Sequence, residues 1–481
     1  MRRAAWPRAA LALALGAYVA GFGALAVRRH DAFSTGRFDL GNMAQAVWAT
    51  AHGHPLAVTS ADGRQFVRLG AHVEPILVLF APLWRAWPDP RLLLVVQVVA
   101  IALGAVPLYW LAERHFRSSA AALGFALAYL LSPAVEWMTL ADFHPVALAT
   151  PLLVLSFWAL DQDRLATFAV AAVLALATKE HVGLAIAGLG LWYAVARGRR
   201  VAGAAIAGAG LAWSVLAVAV VIPHFSPSGR SPFTGRYEAV GGSIRGVLQT
   251  LVTQPWRLAE EAFDRRGLEY VLALLVPLGG LPVLAPVAAV GAVPEIALDL
   301  LSSVPTQTSI RYQYSAVALG VLFPAAVFGA ARLIGRDPRR RAWVGGCVAA
   351  LALAAGYVLG PIPLWRALPG GDGLATAAVE VSPHDRLAAR AVALVPADAI
   401  VSASSSLGGH LSARRRILGF PQVGDAAWVA VDARQPGYAD RAARRRAPAV
   451  LARLRRSPRW RVVFERDEIV VLRRRPAPTS P

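Results

Sequence analysis

The chain has 481 residues, of which 56% are hydrophobic and only 16% charged, and this balance excludes a soluble multidomain protein. Its formal net charge of +20 fits anionic headgroups and lipid phosphates better than nucleic acid, which we exclude as a partner. The single cysteine, Cys347, excludes an internal disulfide and a cysteine-rich metal site.

The first predicted element is the apolar run that ends near Val27. Ala24-Leu25-Ala26 resembles a signal-peptidase site, but the run is long for the apolar part of a signal peptide and more helices follow. We therefore interpret it as an uncleaved first helix.

Apolar runs of this kind recur along the chain and predict about eleven membrane helices. The predicted segments are residues 9–27, 90–112, 119–139, 145–160, 165–178, 181–196, 201–222, 269–285, 286–301, 313–334 and 342–360. Several are short enough to be tilted or re-entrant. Residues 75–87 are apolar over only half a bilayer, and we interpret them as an interfacial helix or half of a broken helix.

Arginines between these segments predict the orientation. With the N-terminus cytoplasmic, four arginine-bearing loops fall inside, at residues 114–117, 164, 197–200 and 336–341. The outer face then carries the long loops 28–74 and 223–268 and the short loops 140–144, 179–181 and 302–312. The sequence thus predicts a multi-pass protein of the cytoplasmic membrane, with a transmembrane domain over residues 1–360 and an extracytoplasmic C-terminal domain.

Residues 361–481 change character, which predicts a small basic α/β domain. The β-strand patterns lie at residues 399–403, 428–431, 461–465 and 469–472. Arg466-Asp467-Glu468 lies between the last two, which predicts a hairpin.

The outer loop 28–74 holds two candidate motifs. Asp39, in Phe38-Asp39-Leu40-Gly41, is the leading candidate for a catalytic acid or base, or for a ligand of a divalent cation; its alternative role is to cap the helix that follows. His72 and Glu74 lie two residues apart and could bind a metal, or form an ordinary loop pair.

Two further motifs lie in the short outer loops. Asp142 and His144 stand at a predicted helix start, where an anion could dock or where Asp142 could simply cap the helix. Lys179, the only lysine, is followed by Glu180 and His181 in an otherwise apolar stretch, where three ionisable groups are costly unless paired or hydrated. They indicate a substrate site, or else a polar hairpin between two helices.

Basic and aromatic residues supply the remaining candidates. Arg311 and Tyr312 could hold a lipid phosphate, or form an interfacial aromatic belt. In the C-terminal domain, His410 and Arg414 belong to a basic cluster that we expect to face anionic headgroups or substrate. Nucleotide-binding, zinc-protease and nucleophile-elbow motifs are absent from the sequence.

Taken in order, five segments resemble the domain of unknown function 2079 family of bacterial membrane proteins. They are Phe38 to Gly41, His72 to Pro75, Asp142 to Pro145, Lys179 to Leu184, and Gly409 to Arg414. Members often continue Asp-Phe-His-Pro with Glu and Lys-Glu with Asp, where this chain has Val146 and His181.

That family in turn resembles the C-type-fold (GT-C) glycosyltransferases, which take sugars from polyprenyl-phosphate carriers at the outer face. The resemblance implies an all-α, GT-C-like membrane domain, a catalytic acid in the first outer loop at the position of Asp39, and a polyprenyl-phosphate sugar donor as partner, alongside membrane lipids. We expect Glu180 and His181 to contact substrate, and Lys179 and Arg311 to neutralise the donor phosphate. Asp39, His72, Glu74, Asp142 and His144 form the candidate site for Mg or Mn. The alternatives are a lipid or polysaccharide transporter and a noncatalytic envelope assembly protein.

Overall fold

The computed structural model describes residues 5–60, 62–229, 234–335 and 337–476. Arg336, which belongs to one of the predicted cytoplasmic loops, lies outside these ranges. Each of the predicted membrane segments contains helix.

Long apolar helices form the membrane part. Within the described ranges, five are long and apolar enough to cross a bilayer: Trp6–Asp31, Arg91–Phe116, Arg200–Phe225, Gln313–Ile334 and Arg339–Leu359. Ser119–Leu130 and Pro133–Leu140 make a sixth span if the 49° bend between them is counted within one crossing. The chain is therefore membrane-embedded, but the predicted count of about eleven helices is not confirmed.

The number of spans differs from the predicted number because several apolar helices are too short to cross a bilayer. Four apolar helices have 10–17 residues: Pro75–Ala86, Pro145–Asp161, Leu165–Leu176 and Val182–Ala196. At 1.5 Å per residue a twelve-residue helix spans roughly 18 Å, well short of a hydrocarbon core of about 30 Å. Such helices depend on packing against longer neighbours. Val182–Ala196 does so through Gly183 and Gly190, which lie against the backbone of Gly210 and Gly203.

Short elements complete the first outer loop and the region before residue 313. The outer loop contains a π-helical turn, Arg37–Gly41, then Asn42–Ala51, Arg68–Gly70 and the antiparallel strands β1 (Ala57–Thr59) and β2 (Gln65–Val67). The later elements are Thr234–Val240, Ile244–Thr253, Pro255–Ala262, Arg265–Leu275, Val276–Leu278, Leu281–Leu284, Pro286–Ala289, Val290–Ala292 and Val293–Leu300.

The C-terminal region forms a small sheet domain. Its strands are β3 (Val401–Ala403), β4 (Ile417–Gly419), β5 (Trp428–Asp432), β6 (Trp460–Arg466) and β7 (Ile469–Arg474), in the order β4-β3-β5-β7-β6. The first three are parallel and the last two antiparallel to their neighbours. Helices lie at Pro363–Arg366, Thr376–Ala378, Pro383–Ala393, Ser405–His410, Tyr438–Ala443 and Ala447–Arg456. The predicted hairpin is present, whereas the short strand β4 was missed.

A buried histidine ties this domain together. The Nε2 atom of His384 lies 2.9 Å from Asp432 at the end of β5, and its Nδ1 lies 2.7 Å from Asp467 in the β6–β7 turn. Ionised carboxylates only accept hydrogen bonds, so both ring nitrogens must carry protons. Burial opposes that charge, but the hydrogen bonds to Asp432 and Asp467 outweigh it and raise the pKa of His384 above 6.5.

The His384 bridge predicts a pH-dependent stability. Because the pKa is raised in the folded state, the stabilisation is fully present below pH 6.5 and is lost as pH rises through the raised value. Thermal unfolding of the full chain in detergent should show the C-terminal domain unfolding a few degrees lower at pH about 9 than at pH about 6. His384→Gln should remove most of that difference, and an unchanged pH dependence in this variant would contradict the assignment.

Candidate functional site

Asp39 and His144 meet where the loop of residues 28–74 approaches the short loop of residues 140–144. The short π-helical turn Arg37–Gly41 presents Asp39, and its Oδ1 lies 3.2 Å from the Nε2 atom of His144. The Nδ1–H of His144 donates to the carbonyl oxygen of Asp142 at 2.6 Å, which fixes the ring. His144 therefore orients the Asp39 carboxylate.

The surroundings of Asp39 keep it ionised. Its side chain is 53% exposed, and the charged groups of His144, Arg68 and Lys179 lie near it. The surrounding protein opposes ionisation, but the hydrogen bond and charge of His144 and the charges of Arg68 and Lys179 hold the pKa of Asp39 below its ordinary value. A half-exposed carboxylate that is ionised at neutral pH is available to accept a proton or to face a cation.

The pKa of a second carboxyl group, that of Asp142, shifts in the direction opposite to the pKa of Asp39. Asp142 accepts a 2.8 Å hydrogen bond from the backbone N–H of Gly36. Burial and the negative charge of Asp39 raise the pKa of Asp142 from 3.8 to about 6, although Arg29 partly compensates. Two neighbouring carboxyl groups with pKa values driven apart are characteristic of acid–base sites, and they also occur in structural ion clusters.

Lys179 is the cation that this cluster leaves available. Its positive charge lowers the pKa values of Asp39, Glu74 and Glu180. Within the described part of the chain, its amine nevertheless forms no hydrogen bond or ion pair. The amine therefore stays available for an anion that enters beside Asp39.

The other predicted loop residues form the frame of the site. Glu180 accepts from His72 at 2.8 Å and from the backbone N–H of Val73 at 3.0 Å, so it ties the end of the outer loop to the Lys179 turn. Glu74 is buried and paired with Arg68 at 2.6 Å. Sequence reasoning missed Arg68, because it lies among several outer-loop arginines.

A chain of polar groups runs from His181 into the helices. The Nε2 atom of His181 lies 2.7 Å from buried Glu295, and Tyr270 donates to buried Asp299 at 2.7 Å. Glu295 and Asp299 stand four residues apart in an apolar stretch. Ionisable residues in an apolar stretch are the signal that singled out Lys179. The sequence could have revealed Glu295 and Asp299 in the same way.

Four residues that we predicted to contact substrate lie outside the cluster around Asp39 and Lys179; they are Arg311, Tyr312, His410 and Arg414. Arg311 pairs with Asp372 at 2.5 Å and stacks over Trp137, and Tyr312 is exposed beside Tyr314.

In the C-terminal domain lie the two remaining candidates, of which Arg414 is buried and His410 partly buried. The His410 ring stacks between His30 and Phe33, while the Arg414 guanidinium donates to the carbonyl oxygens of Leu411, Pro396 and Ala399. These contacts are those of packing residues.

The five candidate metal ligands do not converge. In the described ranges, no group of three or more His, Cys, Asp or Glu side chains has the arrangement to hold a metal ion. Glu74 is engaged by Arg68 and His72 by Glu180, whereas Asp39 and His144 face each other. The donor set therefore does not fit a single Mg or Mn site, and we assign no chemical step to a cation.

Comparison with known proteins identifies the family. The family model described as a predicted membrane protein (DUF2079) matches residues 29–471. The chain belongs to the DUF2079 family. A search of curated proteins found no match. The DUF2079 protein is also similar to a crystal structure of ArnT from Cupriavidus metallidurans in the apo state, with 13% identity and a TM-score of 0.46, over 90% of this chain and 93% of that one.

The raised pKa of Asp142 predicts that Asp142→Asn stabilises the protein at alkaline pH. A carboxyl group whose pKa is raised on folding lowers the stability of the folded protein as pH rises from 3.8 to about 6. The asparagine side chain still accepts the hydrogen bond from the backbone N–H of Gly36. The melting temperature of Asp142→Asn should therefore exceed that of the wild type by a few degrees at pH about 8 and match it at pH about 4. Asp142→Ala, which loses that acceptor, should be destabilised at both. A difference in melting temperature between Asp142→Asn and the wild type that does not change with pH would contradict the raised pKa of Asp142.

Proposed function

We propose that this DUF2079 protein transfers a sugar from a polyprenyl-phosphate carrier to an acceptor hydroxyl at the outer face of the cytoplasmic membrane. One observation carries the proposal: the Asp39 carboxylate, held by His144, lies near enough to the unpaired amine of Lys179 for that charge to lower its pKa. A base and an available cation side by side suit a reaction in which a hydroxyl loses a proton and a phosphate leaves.

The chemistry assigns one role to Asp39. Its carboxylate accepts the proton of the acceptor hydroxyl as the oxygen bonds to the anomeric carbon of the sugar. The bond between that carbon and the carrier phosphate breaks, and its electron pair leaves with the phosphate. The proton on Asp39 then passes to water. His144 keeps the carboxylate oriented throughout, through the 3.2 Å contact.

Lys179 has the complementary role. The leaving phosphate gains negative charge, and a nearby ammonium group stabilises that charge. Glu180 places the Lys179 turn against the outer loop through its hydrogen bonds to His72 and Val73. Lys179 can therefore contact the phosphate without first breaking an ion pair.

An apolar cavity, lined by residues that lie within a few positions of Glu74, His144 and Lys179 in the chain, suits the carrier's hydrocarbon chain. Its volume is about 460 Å³, and its lining is almost wholly hydrophobic, with Ile76, Leu148 and Leu174 among the lining residues. Ile76 follows Glu74 by two residues, Leu148 follows His144 by four, and Leu174 precedes Lys179 by five. Burying hydrocarbon there stabilises the complex by about 0.8 kcal/mol per methylene group.

Asp39→Asn should abolish transfer while the protein still folds and inserts. Asparagine keeps the shape of the side chain but cannot take up the proton, so activity should fall roughly 10²–10⁴-fold. The assay is mass spectrometry of lipid-linked and envelope glycans in a deletion strain complemented with each variant. Wild type should restore one glycan, and Asp39→Asn should leave its polyprenyl-linked precursor accumulated.

Asp62→Asn is the matched control, because Asp62 lies in the same outer loop and is 57% exposed. It should complement like wild type. Full rescue by Asp39→Asn would remove Asp39 from the mechanism, and an unchanged glycan profile on deletion would refute the transferase itself.

Lys179→Met should weaken binding of polyprenyl phosphate but not of the uncharged polyprenol. Removing one charged hydrogen-bond donor should reduce the affinity for the phosphate about tenfold. Native mass spectrometry of the purified protein can compare the two lipids directly. Leu148→Trp, which fills the apolar cavity, should weaken both. Equal effects of Lys179→Met on the two lipids would contradict its role at the phosphate.

A lipid transporter is the second candidate, and the buried acids favour it. Glu295 and Asp299 extend the polar groups from Lys179 into the helices, as expected of a relay along a transport path. A transporter predicts that Glu295→Gln fails to complement whereas Asp39→Asn succeeds. The transferase predicts that Asp39→Asn fails.

A further inference from the structure

A second cavity lies between the outer loop and the C-terminal domain. Its volume is about 580 Å³, and polar and apolar groups share the lining. We call it the interdomain cavity. The residues that decide its chemistry are Trp48, His54, Gln65, Asp398, Arg415 and Arg416. It is thus distinct from the apolar cavity, with which it shares no lining residue.

Arg415 gives the interdomain cavity an available positive charge. Its backbone carbonyl accepts hydrogen bonds from Gln45 at 3.1 Å and from Gln65 at 2.7 Å, which fix its position. Its side chain is exposed, and in the described ranges it forms no hydrogen bond or ion pair. The neighbouring Arg416 is engaged, by Asp425 and by the carbonyl oxygen of Gly63. Arg415 therefore resembles Lys179 as a fixed but unpaired cation.

Aromatic and polar groups line the rest of the interdomain cavity. The Trp48 ring is partly exposed and stacks on His52 with centroids 4.4 Å apart, so its position is fixed. An indole provides a flat apolar surface with one N–H donor, which matches the apolar face and hydroxyl edge of a sugar ring. Asp398 and His54 add exposed polar groups. The combination suits a saccharide better than a hydrocarbon chain.

The interdomain cavity also lies at a useful distance from Asp39. Trp48 follows Asp39 by nine residues along two consecutive helical segments, Arg37–Gly41 and Asn42–Ala51. At 1.5 Å per residue the separation along the axis is roughly 14 Å. A glycan whose end reaches Asp39 can therefore have inner units at Trp48 and Arg415.

We propose that the interdomain cavity binds an anionic saccharide, with a sugar ring on Trp48 and its carboxylate on Arg415. The further statement that this saccharide is the acceptor rests on the proposed function, whereas the binding itself does not. Bidentate pairing of guanidinium with carboxylate provides selectivity for acidic over neutral sugars.

Binding to the purified full chain in nanodiscs tests the proposal, with tetragalacturonate as the acidic probe and maltotetraose as the neutral one. Tetragalacturonate should bind at least tenfold more tightly. Arg415→Gln should reduce its affinity about tenfold and leave maltotetraose unchanged, because only the charge contact is lost. Trp48→Ala should weaken both probes.

Arg453→Gln is the matched control, since Arg453 is an exposed arginine of the same domain outside the interdomain cavity, and it should bind like wild type. Asp39→Asn should also bind normally, so a failed transferase and a failed saccharide site give different results. Equal affinity for the two probes, or no effect of Arg415→Gln, would overturn the proposal. So would binding of anionic vesicles in place of tetragalacturonate, which would assign Arg415 to the membrane surface.

Discussion

The close fit between the C-terminal domain and the Asp39 turn is the constraint on which the site depends. The Arg37 guanidinium is buried and donates to the carbonyl oxygen of Ile417 at 2.7 Å and of Thr59 at 3.2 Å. A side chain at Gly408 would come within 2.8 Å of Arg37, and one at Gly41 would collide with Ser412. Because glycine alone allows this approach, the sheet domain packs directly on the turn that carries Asp39.

Charge balance around Lys179 follows from that packing. The outer loop brings Asp39 and Glu74 near the Lys179 turn, and Glu180 closes the loop through His72. Most charges in this region have specific partners: Arg68 holds Glu74, and His144 holds Asp39. The amine of Lys179 has none of its own in the described ranges. An ammonium group that lies near several carboxylates but pairs with none of them attracts an anion and can also release it.

The two cavities offer different chemistry. The apolar cavity is lined by membrane helices and suits hydrocarbon, whereas the interdomain cavity carries a free arginine and a fixed indole. The Asp39 turn is covalently continuous with the helix that holds Trp48, so the packing of the C-terminal domain on that turn bears on both the catalytic candidate and the proposed saccharide surface. A transfer reaction between a lipid-linked and a polar substrate needs a binding surface for each.

The sequence by itself determined the membrane class, the family, and four of the five strands and the hairpin of the C-terminal domain, and it singled out Asp39, His144 and Lys179 as candidates. Composition, β-branched alternation and polar residues in apolar stretches are local signals, so they can be read without coordinates. Only the tertiary structure decided that Arg414 packs inside its domain, that Glu74 is engaged by Arg68, and that the five metal candidates do not converge. These outcomes depend on which partner each charge meets, and residues far apart in the chain, such as His144 and Asp39, meet only after folding. The helix count was equally undecided by the sequence, because hydropathy reports an apolar run but not where packing interrupts the helix within it.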